Sequence, residues 1–169
     1  MDLITGLLQI GKHNTILTIV NHRCSHAAIF LLVSDTITGM GIAQLYMDYI
    51  YRWFGLPTKI ISDRDPCFTS HFGRELTRML NIGQNLSTAF HPQTDGLSEQ
   101  KNQWIKQYLR AVTGGQPTDW NRWLSIATAM HNNRTNSTIQ MSPNQVLIGC
   151  ETRLLPDLII QSQNPTVEE

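Results

Sequence analysis

Net charge is what this 169-residue chain lacks: thirteen Lys and Arg are balanced by thirteen Asp and Glu. A protein that wraps nucleic acid over a broad surface is basic, so any such contact here must come from a local patch. Cysteine is scarce. Cys24, Cys67 and Cys150 lie far apart with no C-x-x-C pair, which fits buried thiols in a reducing compartment better than a disulfide framework. There is no signal or transit segment and no run of about 18 apolar residues, so the expectation is an intracellular protein without a membrane partner. Internal repeats and low-complexity segments are missing as well. What is present, 41% hydrophobic and 15% charged residues, suits one domain with a sizeable core.

Six histidines raise the question of zinc. The densest group is His22-Arg23-Cys24-Ser25-His26, and on a strand its alternate positions would share one face. No second ligand pair follows at finger spacing, so no zinc site is expected.

The first third of the chain reads as strands. Residues 1–8 are apolar around Asp2, a turn follows at Gly11-Lys12-His13-Asn14, and residues 15–21 and 27–33 are rich in β-branched and aliphatic side chains. Short connections suggest an antiparallel meander. Over residues 38–54 the period changes: Ile42, Leu45, Tyr46, Tyr49, Ile50 and Trp53 recur at helical spacing, and Gly55 supplies a stop. A buried strand to Ile61 makes this a strand-helix-strand crossover. Ser70 can begin a helix with Phe72, Leu76, Met79 and Leu80 on its core face. A brief strand is expected over 82–86, then a loop over 87–93 leading into a long helix. Asp119 can cap a helix striped by Trp120, Trp123, Leu124, Ile126 and Ala127. Ser142-Pro143 has the cap-then-proline start of a short helix to Ile148. Residues 1–153 read as one domain that begins inside its first strand, and 154–169 as a frayed tail. Strands, crossover, strand and helices in this order predict an α/β fold of ribonuclease H-like outline, a mixed five-stranded sheet flanked by helices.

The chemistry centres on residues 62–99. Asp63 stands where the crossover strand ends, and Glu99 opens the long helix, with thirty-five residues between the two acids. Asp2 is a third acid, on the first strand. Carboxylates on two strands and a helix can converge on divalent metal ions, a geometry suited to phosphoryl transfer. At about 100° per residue, Glu99, Gln103, Lys106 and Arg110 fall on one stripe of the helix, flanked by Asn102. Trp104, Ile105, Tyr108 and Val112 fall roughly opposite and should face the core. Lys101 falls within that apolar arc and must snorkel or line an edge. Each acid also has a plainer reading: Asp2 as a terminal charge, Asp63 and Asp65 as turn formers, Glu99 as part of a solvated face beside Lys106.

The wider pattern adds to this. Met1-Asp2-Leu3-Ile4-Thr5-Gly6-Leu7, Gly55-Leu56-Pro57, Ile61-Ser62-Asp63-Arg64-Asp65-Pro66 and His91-Pro92-Gln93-Thr94-Asp95-Gly96 resemble the integrase core of gypsy-type LTR retrotransposons, with the fungal branch most similar. Tyr108-Leu109-Arg110, Asp119-Trp120, Asn132-Asn133 and Met141-Ser142-Pro143 continue the resemblance in one register to about Arg153. It includes the family's Asp, Asp, thirty-five residues, Glu signature. The resemblance implies that Asp2, Asp63 and Glu99 form a catalytic triad holding two Mg²⁺ or Mn²⁺ ions. One ion would activate the attacking oxygen, and the other would stabilise the leaving oxygen in DNA 3′-end processing and strand transfer. It places His91, Gln93, Thr94 and Asp95 in a loop beside the metals. With these, Asn102, Gln103, Lys106 and Arg110 form the expected nucleic-acid surface, Lys106 gripping the DNA end. It further implies DNA partners (element ends and target), a homodimer, and action in the nucleus.

Departures from the family's pattern lie near the site. Asn21 stands where Asp is usual, Leu97 where Gln is usual, and Gln100 and Cys67 where Arg is usual. Leu7-Leu8 replaces a usual Leu-Pro. No departure removes a metal ligand, but two lost arginines weaken phosphate contacts. Two alternatives stay open: a transposon-derived module that binds nucleic acid or dimerises without catalysis, and a cellular ribonuclease H acting on RNA–DNA hybrids.

Overall fold

The computed structural model describes residues 1–57, 59–62, 70–79, 87–88, 96–114 and 117–154. Three strands open the chain, β1 (Asp2–Ile4), β2 (Thr15–Val20) and β3 (Ala28–Val33), paired antiparallel in the order β1-β2-β3. The expected meander is therefore present. Its first strand stops at Ile4 instead of running to Leu8, because Gly6 turns to φ 75°, outside the extended region. The register sets Asp2 opposite Thr18 and Ile4 opposite Ile16. Across the next ladder Thr18 faces Phe30.

All six residues of β2 are buried, so both faces of the sheet are covered. Alternation divides the side chains between two layers. Leu17 and Ile19 pack with Ile42, Ala43, Tyr46, Ile50, Ile60 and Leu76 on one side. Ile16 and Val20 pack with Ile4, Phe30, Ile105, Leu109, Trp120 and Leu124 on the other.

The first layer is built by the crossover helix. Thr38 caps α1 (Gly39–Leu45) by accepting from the Gly41 amide at 3.2 Å. The helix widens into a π segment at Tyr46–Ile50, then closes as α2 (Tyr51–Phe54). Gly55, at φ 64°, ends it as expected, and its carbonyl accepts from the Tyr46 hydroxyl at 2.8 Å. α3 (Ser70–Met79) adds the fully buried Leu76 to the same layer.

The second layer is built by α4 (Gly96–Val112) and α5 (Leu124–Asn133). On α4, Ile105 and Leu109 are buried and Trp104 and Tyr108 half-buried, while Glu99, Gln103, Lys106 and Arg110 are exposed. The helical period separated these faces correctly. Trp104 stacks between Phe30 and Tyr108 at centroid distances of 6.0 and 5.4 Å and meets the edge of His131 at 4.8 Å. Ser142 and Gln145 form a capping box at the start of α6 (Pro143–Ile148), and Gly149 ends it at φ 80°.

Several expectations need correction. Ser87–Thr88 is a strand, β5, parallel to β4 (Lys59–Ile60), where the sequence suggested a loop; ladder pairing with β4 overrides the weak strand preference of serine. The strand expected over 82–86 lies outside the described residues. Among the described residues the strands form a three-stranded and a two-stranded sheet. Asp119 does not begin an α-helix. It is the kink (φ −127°, ψ 28°) inside a 3-10 segment, Pro117–Trp123, and α5 starts only at Leu124. Residues 22–25 form a turn between β2 and β3, so His22, Cys24 and His26 do not alternate on a strand. Cys24 in that turn and Cys150 just past the Gly149 cap are exposed, not buried; Cys67 lies outside the described residues.

β3 is the edge of its sheet, and α5 satisfies its outward backbone groups. Asn132 donates to the Ala28 carbonyl and accepts from the Ala28 amide, both at 2.9 Å. One turn earlier, the Thr128 hydroxyl accepts from the Phe30 amide at 3.4 Å. Four residues of helix rise about 6 Å and two residues of strand about 6.8 Å, so an i, i+4 pair can serve alternate strand amides. Asn132→Leu keeps the branched outline of the side chain but orphans two buried backbone groups. It is expected to cost about 2–5 kcal/mol in urea unfolding.

Candidate functional site

β1 and the first turns of α4 bring Asp2, Glu99, Asn102, Gln103 and Lys106 together. With Leu3 and Ile4 they line an open cavity of about 270 Å³. Asp2 is placed by its register opposite Thr18, on the sheet face that α4 covers. Glu99 sits in the first turn of α4, where the helix dipole favours a carboxylate. Arg110 is exposed on the same stripe but does not line the cavity. Asp63, His91, Gln93, Thr94 and Asp95 lie outside the described residues.

Asp2 is held on both oxygens. Oδ1 accepts from the Leu3 amide at 2.8 Å, and Oδ2 accepts from the Asn102 side-chain amide. Asn102 is only 8% exposed, so its place is behind Asp2, although its position beside the polar stripe suggested a nucleic-acid contact. The sequence signal was its i+3 spacing from Glu99, which puts the two side chains on neighbouring turns of one helix. Thr18 and Ser98, both fully buried, complete a polar layer under the cavity. Thr18 Oγ1, Ser98 Oγ and Asn102 Oδ1 have no hydrogen-bond partner among the described groups. Sequence reasoning missed Thr18 and Ser98. A hydroxyl in the middle of an apolar strand was the available sign for Thr18.

A larger cavity, about 510 Å³, opens on the opposite face of the sheet beside Met1, Ile19, Tyr46 and Phe54. Among the described residues its lining has no carboxylate, and it shares no lining residue with the cavity at Asp2 and Glu99. The described residues contain no group of three His, Cys, Asp or Glu side chains placed to share a metal ion. Asp2 and Glu99 therefore supply two acids, with Asp63 outside the description.

On the far flank of α4, Lys101 is half-buried. Burial, and secondarily Arg134, pushes its ammonium below the ordinary lysine range. Burial also lowers His131 to about 3, reinforced by Lys101 and Arg134, so the imidazole is neutral near pH 7.

No protein-family model matches the chain. The Tf2-3 transposon polyprotein of Schizosaccharomyces pombe is 31% identical over 156 residues, covering 92% of this chain. The chain spans only 12% of that polyprotein's length. Among solved structures, the magnesium complex of the HTLV-2 integrase catalytic core superposes with a TM-score of 0.63. It is 18% identical and covers 86% of this chain and 93% of its own. The integrase catalytic core of BIV gives 0.61 at 21% identity, covering 88% and 92%. In sequence the chain is similar to a transposon polyprotein, and in fold to integrase catalytic cores. Integrase cores share its ribonuclease H-like α/β fold. Among the described residues, no helix is long and apolar enough to cross a membrane.

The bond from Asn102 to Asp2 ties β1 to α4 across one hundred residues of sequence. Asn102→Ala removes a charge-assisted bond of about 1.5–3 kcal/mol. The Leu3 and Ile4 amides are expected to exchange with solvent roughly 10- to 100-fold faster in NMR hydrogen exchange, with α5 amides unchanged.

Proposed function

We propose that this chain is a gypsy-type integrase core of the fungal branch, and that it processes DNA 3′ ends and transfers them into target DNA in the nucleus. The observation that carries the reading is the cavity where Asp2 and Glu99 share walls with Gln103 and Lys106. Carboxylate oxygens from separate elements, at an open site, fit a hard divalent cation that keeps several waters. In this reading Asp63 completes the donor set, and the three acids hold two magnesium or manganese ions. Bound there, the ions supply activation of the attacking oxygen and neutralise charge developing at phosphorus.

The chain's own groups do the rest. The Leu3 amide and Asn102 orient Asp2. Lys106 and Arg110, exposed on the Glu99 stripe, draw the phosphate backbone toward the acids without reading sequence. Gln103 adds a neutral donor at the cavity wall. In this reading His91, Gln93, Thr94 and Asp95 form the loop beside the acids. Residues 1–153 make up the core and 154–169 a tail. The Met1 amino group donates to the Ile61 carbonyl at 2.6 Å, which supports β4 lying beside β1 in one mixed five-stranded sheet. Magnesium in the HTLV-2 core, and that core's trimeric and dimeric forms, support cation use and self-association; we take the homodimer as the working form.

Disintegration, the reversal of strand transfer, on a labelled branched DNA with Mg²⁺ or Mn²⁺ tests the reading. Product should depend on metal and fall at least about 100-fold in Glu99→Gln, since several kcal/mol of charge stabilisation is lost. Folded protein that binds the substrate and yields no product would instead identify an inert nucleic-acid-binding module. Cleavage confined to RNA–DNA hybrids would identify a ribonuclease H.

A further inference from the structure

α4 carries cations on two flanks, and only one has been used. Lys106 and Arg110 project from the exposed stripe that bears Glu99. Lys101 lies on the opposite flank, three residues before Trp104, whose ring meets His131 on α5 at 4.8 Å. Arg134 follows His131 by three residues and ends α5. The two helices run antiparallel. Asn102 reaches Asp2, opposite Thr18, and α4 proceeds from there toward the beginning of β2, whereas Asn132 at the end of α5 reaches Ala28, opposite the end of β2. Lys101 and Arg134 therefore stand at the same end of the domain, one turn outside the Trp104–His131 contact. Each lies within electrostatic range of His131, and Arg134 acts on Lys101 as well.

Two cations gathered in this way call for an anion. Neither forms an ion pair among the described residues; the pairs there are Arg78 with Glu75 and Arg122 with Asp119. Lys101 is half-buried, so its charge is screened less by water than an ordinary surface lysine's. Arg134 is exposed and can present its planar fork outward. Nδ1 of His131 is buried without a partner beside them and becomes a donor in one neutral tautomer. In a chain with no net charge, such a cluster is a local basic patch of the kind that phosphate backbones require.

We propose that Lys101 and Arg134 form a second phosphate-binding face that holds the backbone of a second DNA segment, separate from the segment drawn to Lys106 and Arg110. A helix with its side chains is about 10–12 Å across, so the two flanks present their cations in different directions. This inference rests on the DNA-joining function proposed above, which requires two DNA segments at one core.

The test uses the full 169-residue chain and measures duplex binding by fluorescence anisotropy across a salt series, without divalent metal. Log K should fall linearly with log salt, and removing each phosphate-contacting cation should reduce the slope by roughly 1. Lys101→Gln with Arg134→Gln is expected to reduce it by about 2 and to lower saturating stoichiometry from two duplexes to one per protomer. Lys101→Arg should retain the parent slope, and circular dichroism verifies folding of every variant. An unchanged slope in Lys101→Gln/Arg134→Gln, while Lys106→Gln/Arg110→Gln reduces it, would overturn the second face and leave the proposed function standing. Loss of salt-dependent binding in the parent itself would overturn both. NMR shifts at Arg134 with inorganic phosphate but none with duplex DNA would mark a free-anion site and overturn the DNA assignment.

Discussion

The hydrogen bond from Asn102 to Asp2 is the constraint on which the acid site depends. It joins the first strand to the first turns of α4, and Glu99 lies one turn away on that helix. The Leu3 amide fixes the other oxygen of Asp2, so the carboxylate's orientation is set by its own strand and by the helix together. The link adds a restraint from a second element to the acid of a three-residue strand paired with β2. Interlocking donors of this kind hold an acid ready before any ligand arrives, which is what preorganised charge stabilisation requires.

The scaffold behind that bond follows from one strand buried on both faces. Because β2 alternates between two apolar layers, helices must cover both sides of the sheet. α4 covers the side that also carries Asp2, so the packing that buries Ile105 and Leu109 brings Glu99 to the cavity. The polar layer of Thr18, Ser98 and Asn102 interrupts this core just where the acids sit. Functional sites commonly carry such local departures from apolar packing, and the surrounding core compensates for them.

Much of this was legible in the residues. The α4 faces could be read because seventeen residues give the helical period room to separate apolar from polar positions. The β-branched runs fixed β2 and β3 closely, and Ser142-Pro143 announced α6. Other features were hidden for definite reasons. β5 is two polar residues long and owes its existence to pairing with β4, which local preference cannot reveal. The π segment at Tyr46–Ile50 preserves an apolar face and leaves no mark on the pattern. Asn102 lies at the boundary of the α4 stripes, where a difference of one position decides between solvent and Asp2. Lys101 was recognised as misplaced in an apolar arc, but only the antiparallel packing of α5 brings Arg134 to it.

Anomalous diffraction from crystals soaked in Mn²⁺ addresses the acid site most directly. Convergence of the carboxylates on divalent ions requires manganese peaks in the cavity between Asp2 and Glu99, lost in Asp2→Asn. Ordered Asp2 and Glu99 side chains with no manganese between them, at a soak concentration that saturates related oxygen-ligand sites, would contradict the assignment of this cavity as a metal centre.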